Sequence, residues 1–215
     1  MAIKDNKSNY KSIALSGDSG TGKGATNKIL SEKLGFPIIS AGNLMRAEAD
    51  RLGISLVDLK KKTSGDQFLD YWLDTATRLA IVEHKDRGVI IEGRLVAFTI
   101  PLGVFKVLLV IEDENGNFDY EERYRRVASR DQISLEEAER VTKYREENMD
   151  SRYKEFYGLS YKELFDKDLY HVVVNTRNNS PEKVAEIILE AYNNFLECKL
   201  DKKVIHRTLP IFEIE

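Results

Sequence analysis

The chain has 215 residues, 42% of them hydrophobic and 32% charged, enough for one compact soluble domain with a core of its own. A formal net charge of −3 excludes a generally basic nucleic-acid surface, and no apolar run approaches the roughly 20 residues that cross a bilayer. The one cysteine, Cys198, excludes an internal disulfide framework, and with a polar Met1–Lys11 that lacks an apolar signal core it predicts a protein of the reducing cytoplasm.

Ser12-Ile13-Ala14-Leu15-Ser16 reads as a short buried strand, and Ala25 to Leu34 as a helix closed by Gly35. Between them lies Gly17-Asp18-Ser19-Gly20-Thr21-Gly22-Lys23-Gly24. Strand, glycine-rich loop and helix in that order make a phosphate-binding loop. Its four glycines let successive backbone N–H groups turn toward anionic oxygens, the helix N-terminus adds a favourable dipole, and Lys23 supplies a point charge. The common form of the motif ends in G-K-[ST], with the last hydroxyl on Mg²⁺. Gly24 replaces that hydroxyl, which disfavours switch GTPases and motor ATPases and points toward kinases of small phosphorylated molecules.

Pro37-Ile38-Ile39 is the second strand candidate, and Ser40 after it is a helix cap with Arg46 two turns further on. From the residues alone, Ser40 to Arg46 is as readily a plain capped helix as a binding segment. The stretch from about residue 43 to 85 is helical and polar, an insertion into the core. Val89 to Glu92 is the third strand and runs into Gly93-Arg94. Ligands of open α/β sheets bind outside the carboxyl ends of the strands. Glu92 is therefore expected beside the phosphate loop, able to orient Mg²⁺-bound water, and Gly93 lets the chain turn close to a ligand. Arg94 can fork two N–H groups onto one phosphate. The competing reading is a strand-end carboxylate paired with its neighbouring arginine.

Lys106 to Ile111 and His171 to Asn175 complete five mostly apolar strands separated by helical patterns, which predicts a parallel α/β sheet covered on both faces. In the last helix Ser180 caps, Pro181 opens the first turn, and Val184, Ile187, Ile188, Ala191, Tyr192 and Phe195 form one stripe. The tail from Lys199 to Glu215 reads equally as an added strand, a packing arm or an oligomer contact. His84, His171 and His206 offer no metal-ligand spacing.

Seven of the 14 arginines lie between Arg123 and Arg152. Arg123, Arg126 and Arg130 share a helix face, as do Arg145 and Arg152. The intervening glutamates allow an ordinary salt-bridge-laced helix pair. Phosphoryl transfer gives the run a stronger reason, because its transition state spreads negative charge that cations on a mobile, water-excluding lid can stabilise.

These segments together resemble the nucleoside monophosphate kinases of the P-loop kinase superfamily, in particular the archaeal-type cytidylate kinase-like branch. The loop is similar to their G-x-x-G-x-G-K-G. Ser40 to Arg46 resembles their S-[AT]-G-D-x-x-R, Glu92 to Leu95 their E-G-R-L, and Asp66 to Asp70 their D-P-E-I-D. Arg145 to Gly158 resembles R-E-E-x-x-x-x-R-Y-K-E-x-Y-G, and the likeness spans roughly residues 12–190. It implies a three-layer α/β domain over 1–215. The core would comprise 11–42, 86–125 and 146–197, with a monophosphate-binding insertion at about 43–85, an arginine-rich lid at about 126–145 and a tail at 198–215.

The resemblance further implies ATP and Mg²⁺ as cofactors and small nucleotides as substrates, with no nucleic-acid or membrane partner; the oligomeric state stays open. Gly17, Asp18, Ser19, Gly20, Thr21, Gly22, Lys23, Gly24 and Ala25 would bind the ATP phosphates, with Asn175 and Asn178 near the adenine. Ser40, Arg46, Asp66, Asp70, Glu92, Gly93 and Arg94 would face the acceptor. Lys23, Arg126, Arg130, Arg145 and Arg152 would act on the transferring phosphoryl group. No protein side chain would ligate Mg²⁺ directly, Glu92 acting through water. The chain departs from the family pattern at Asn43, Ala25 and Gln67, where Asp, Thr and Pro are usual. The expected reaction moves the γ-phosphoryl of ATP to CMP or dCMP. The alternatives are a related kinase with another small acceptor and a nucleotide-binding regulator without transferase activity.

Overall fold

Five strands form one parallel sheet in the order β2-β3-β1-β4-β5: β1 (Ile13–Gly17), β2 (Ile38–Ser40), β3 (Ile90–Glu92), β4 (Phe105–Val110) and β5 (Val172–Asn175). The coordinates are a computed structural model that describes residues 10–55, 58, 59, 62, 67–200, 204 and 205, with the backbone alone at 67–71. Each strand lies within a residue of its expected position. Parallel neighbours need crossovers, and helices supply them: α1 (Lys23–Leu34), α2 (Ala41–Leu52), α3 (Gln67–Glu83), the short α4 (Val96–Thr99), α5 (Tyr120–Asp131), α6 (Leu135–Tyr157) and α7 (Pro181–Leu196).

Period-two alternation divides the core. Ile13, Leu15, Ile90, Phe105, Val107, Leu109 and Val174 point to one face, where Leu30 of α1 and Val184, Ile188 and Tyr192 of α7 cover them. Ala14, Val89 and Ile91 point to the other, against Ala80 and Ile81 of α3 and Val96 of α4. Leu108 and Val110 share that second face with Leu159, Leu164 and Tyr170. The result is the three-layer α/β/α arrangement expected of an all-parallel sheet. Among the described residues no helix is long and apolar enough to cross a membrane.

The parallel register puts every strand's carboxyl end on one edge. Ser40 pairs with Glu92, Leu15 with Glu92, Gly17 with Leu109 and Val110 with Asn175. The loops that follow β1, β2, β3 and β5 therefore open on the same side.

One charged residue interrupts the apolar second face of β4. Lys106, in central β4, is 3% exposed and donates its Nζ to the Ala97 carbonyl at 3.0 Å. Burial pushes its ammonium down to about 8. Between pH 8 and the ordinary lysine value, the unfolded chain then binds more protons than the folded one, so this residue's penalty on stability is complete below pH 8 and relieved as pH rises toward 10.5. Lys106→Met is expected to stabilise the protein by about 1–3 kcal/mol at pH 7, with the gain vanishing near pH 10.5. Denaturant unfolding at the two pH values checks this; a gain that is the same at both would show that the charge is not its source.

Candidate active site

The loop between β1 and α1 is shaped by what its glycines permit. Gly17, Gly20 and Gly22 have φ of 146°, 86° and 85°, a region L-residues with side chains avoid. A Cβ on Gly17 would lie 2.7 Å from the Leu109 carbonyl oxygen, so the loop's entry packs against β4. At Gly22 and Gly24 a Cβ would meet nothing within 4 Å, and these two positions form the open mouth of the cradle. α1 has no side-chain cap and no acid in its first turn, whereas Ser40, Asp119, Ser134 and Ser180 cap α2, α5, α6 and α7. First-turn N–H groups without a capping side chain, beside an open glycine mouth, fit a polyphosphate.

Lys23 curls under this loop. Its Nζ donates to the carbonyls of Gly17 at 2.6 Å and Asp18 at 2.7 Å. The residue is half-buried along its stem and its ammonium is enclosed; burial, and after it the nearby Arg94 charge, bring it down to about 8 against the opposing pull of Glu92 and Asp18.

Asp18 is the surprise of the loop. It is 3% exposed, and a carboxylate inside an anion cradle demands cations. Its Oδ2 accepts from Arg123 at 2.7 Å, and its Oδ1 from the Ser19 N–H at 2.6 Å and from Arg94 at 3.4 Å. Arg123 is 1% exposed; it also donates Nε to the Ser19 carbonyl at 2.9 Å and pairs with Glu146 of α6. A chain of charges thus runs from Arg94 after β3, through Asp18 and Arg123, to Glu146.

On the other side of β1, Glu92 accepts from Asn27 Nδ2 at 3.0 Å, its one hydrogen bond among the described residues. This contradicts a simple pairing of Glu92 with Arg94, since Arg94 turns to Asp18 instead. Ser40 caps α2 by accepting from the Asn43 N–H at 3.1 Å. Arg46 is exposed and donates back to Asn43 Oδ1. Asp66 and the side chain of Asp70 lie outside the described residues. Gly24 and Ala25 are exposed, and Thr26, one residue past the usual hydroxyl position, is buried.

The arginine-rich helices divide into two populations. Arg125, Arg130 and Arg140 pair with Glu121 and Glu122, with Asp131 and with Glu137, all on the surface. Arg126 reaches inward: it holds Glu122 at 2.8 Å and donates to Thr176 Oγ1 and to the carbonyls of Thr176 and Arg177 at 2.8–3.0 Å. It therefore ties α5 to the loop after β5. Asn175, expected near a base, spends its amide on the Glu112 N–H and carbonyl and on the Arg177 N–H, while Asn178 is exposed. On α6, Arg145 is exposed and Arg152 half-buried. Tyr157 of the same helix donates to Asp74 of α3 at 2.9 Å, joining α6 to the polar insertion.

The sequence reading brought the loop, Ser40, Glu92, Gly93 and Arg94 to one edge, and the structure assembles them there. It left Asn27 without a role, counted Arg123 only as one of a cluster of lid cations and Glu146 only as one of the glutamates able to neutralise them, and did not join either to Asp18. The helical spacing of Arg123 with Arg126 and Arg130 was the available signal for Arg123, as was an unexplained acid in the loop that required a cation.

Residues 12–178 match the model of the Cytidylate kinase-like family. The chain is 32% identical to a cytidylate kinase of Sulfurisphaera tokodaii, over 87% of this chain and 97% of that one. It is 33% identical to a cytidylate kinase of Ignicoccus hospitalis, over 82% and 95%. Among solved structures, the shikimate kinase of Acinetobacter baumannii superposes with a TM-score of 0.53 at 15% identity, covering 85% of this chain and 93% of that one, which is a likeness of fold.

Because Arg123 neutralises two carboxylates, one of them buried, Arg123→Met is expected to destabilise the protein by about 3 kcal/mol, the scale of a broken buried pair. Asp18→Asn in the same chain should recover part of that loss. Urea unfolding of the single and double variants measures both, and strict additivity would mean the pair does not interact.

Proposed function

This chain belongs to the Cytidylate kinase-like family, and from that premise we propose that it is a nucleoside monophosphate kinase moving the γ-phosphoryl of ATP to CMP or dCMP. The observation that carries the proposal is the assembly, at one sheet edge, of a phosphate cradle after β1 and of Ser40, Glu92, Gly93 and Arg94 after β2 and β3. A cradle alone takes a donor; an arginine opposite it gives a phosphorylated acceptor its own anchor.

In this reading, the backbone N–H groups of Gly20 to Ala25 and Lys23 hold the ATP polyphosphate. Arg94 and Arg46 take the acceptor phosphate, with Ser40, Asp66 and Asp70 toward its nucleoside. Arg145 and Arg152 on α6, and Arg130 at the end of α5, add positive charge around the transferring group as it becomes loosely bonded to both oxygens. Arg126, held to Thr176 and Arg177, steadies the loop that would flank the adenine. No protein nucleophile is required. Mg²⁺, when bound through ATP and water, neutralises the phosphate oxygens. Glu92, oriented by Asn27, is the carboxylate fitted to accept from its waters.

Lys23→Ala and Arg145→Ala are each expected to lower kcat/KM about 10²–10³-fold, the usual consequence of losing one preorganised transition-state donor. ADP release measured over CMP, dCMP, UMP, AMP, shikimate and dephospho-coenzyme A tests the acceptor. Turnover confined to a non-nucleotide, or full turnover in both variants, would overturn the proposal. Since Lys23 titrates at about 8, Mg²⁺-free ATP should bind more weakly as pH rises through that value, where the ammonium loses its proton. Lys23→Arg should make the calorimetric titration flat across the same range.

A further inference from the structure

We propose that Asp18 is an internal competitor for the acceptor phosphate: its carboxylate holds Arg94 and thereby sets how tightly a phosphate monoester binds there. The inference rests on the reading of Arg94 as the acceptor anchor.

Three observations support it. The first is the sign of the charge. Asp18 belongs to a loop whose N–H groups serve anions, and its carboxylate is buried beside Arg94 and not turned to solvent. The second is the ranking of its bonds. Asp18 Oδ2 meets Arg123 at 2.7 Å and Oδ1 meets the Ser19 N–H at 2.6 Å, both short and charge-assisted. The bond to Arg94 is long, 3.4 Å, and is made by one nitrogen. The third is what remains free on Arg94. Its Nε is buried with no hydrogen-bond partner among the described residues. Arg94 is thus half-committed, by its weakest contact, to a partner that is fully satisfied without it.

The exchange is chemically balanced. A phosphate dianion offers Arg94 two oxygens, a match for its planar fork that the single long contact to Asp18 does not provide. When Arg94 turns to it, Asp18 keeps Arg123 and the Ser19 N–H, so no buried charge is orphaned. What the arriving phosphate must overcome is the pull of Asp18 on Arg94 and its own repulsion from that carboxylate. Both are interactions with charge. Asp18 therefore weakens binding of the phosphorylated acceptor and leaves the nucleoside portion untouched.

The test is calorimetry with CMP, cytidine and inorganic phosphate, without ATP, on the wild type, on Asp18→Asn and on Asp18→Ser. Asn keeps the shape and one of the two acceptor oxygens, which serves either Arg123 or the Ser19 N–H; Ser is the second variant should the first unfold, and thermal unfolding confirms the fold of each. CMP and inorganic phosphate should bind about fivefold more tightly to the variants, the worth of one partly solvated charge pair, and cytidine equally to all three. With Arg94→Met in the background, the gain should vanish. CMP affinity unchanged or weakened in a folded Asp18 variant overturns the proposal, as does an equal gain for cytidine. Tighter phosphate binding in the variants, with CMP bound by none of the proteins, keeps the competition and removes the nucleotide acceptor instead.

Discussion

The buried pairing of Arg123 with Asp18 is the constraint around which the site is arranged. A guanidinium removed from water needs acceptors for its Nε and both terminal nitrogens and an anion for its charge. Arg123 finds one partner for each nitrogen where α5 lies against the phosphate loop, with the Ser19 carbonyl, the Asp18 carboxylate and Glu146 of α6 converging on it. That placement fixes other choices. Gly20 leaves little room for a side chain, because at φ 86° a Cβ there would stand 3.2 Å from the Cγ and the carbonyl oxygen of Arg123. α6, with Arg145 and Arg152, is tethered to the loop through Glu146. The loop is thus held by a side chain from about a hundred residues further along the chain, where its own glycines would leave it slack.

The same arrangement makes the centre of the site nearly neutral. Lys23, Arg94 and Arg123 stand against Asp18, Glu92 and Glu146, three cations to three carboxylates. Two nucleotides bring several negative charges, and a preorganised site stabilises them only with a surplus of positive charge. In the proposed function that surplus would come from the periphery: Arg46 on α2, Arg145 and Arg152 on α6, and a divalent cation carried by the nucleotide. A near-neutral centre costs little to hold closed-packed, whereas three uncompensated cations within one loop would repel each other and loosen it.

The sheet was legible in the sequence because its information is local. Apolar runs such as Ile13-Ala14-Leu15 and Val107-Leu108-Leu109-Val110 announce strands covered on both faces, and the turn chemistry of Gly35 and Ser180 marks helix ends. The edge carrying Ser40, Glu92 and Arg94 followed from the rule that parallel strands end on one side. What could not be read was reach. Whether an arginine on a helix face points to a neighbouring glutamate or into the core depends on which elements pack beside it. Arg130 turns to adjacent Asp131, Arg126 crosses to the Thr176 carbonyl, and Arg123 is buried, although all three share one face. Lys106 was hidden for the same reason: only the register of β4 shows that its position faces the core. The amide of Asn175 is committed to Glu112 and Arg177, a network invisible without the strand ends side by side.

Asn43 shows how a departure from a family pattern acquires meaning from this charge balance. The usual residue there is an acid. In this chain an amide oxygen accepts from Arg46 one turn away, and the guanidinium folds back over the first turn of α2, about 3.7 Å from where a side chain on Gly42 would begin. An aspartate would make the same bond and cancel the charge. Asparagine makes the bond and leaves the charge whole. Because both residues are exposed, the difference in stability is small, but the difference in field is not, since among the described residues no carboxylate pairs with Arg46. In a centre where Asp18 already offsets one arginine, a neutral partner for Arg46 leaves that charge whole for the acceptor phosphate of the proposed function. The two unusual residues, an acid inside the loop and an amide on α2, are in this sense complementary: one withholds charge at Arg94, and the other preserves it at Arg46.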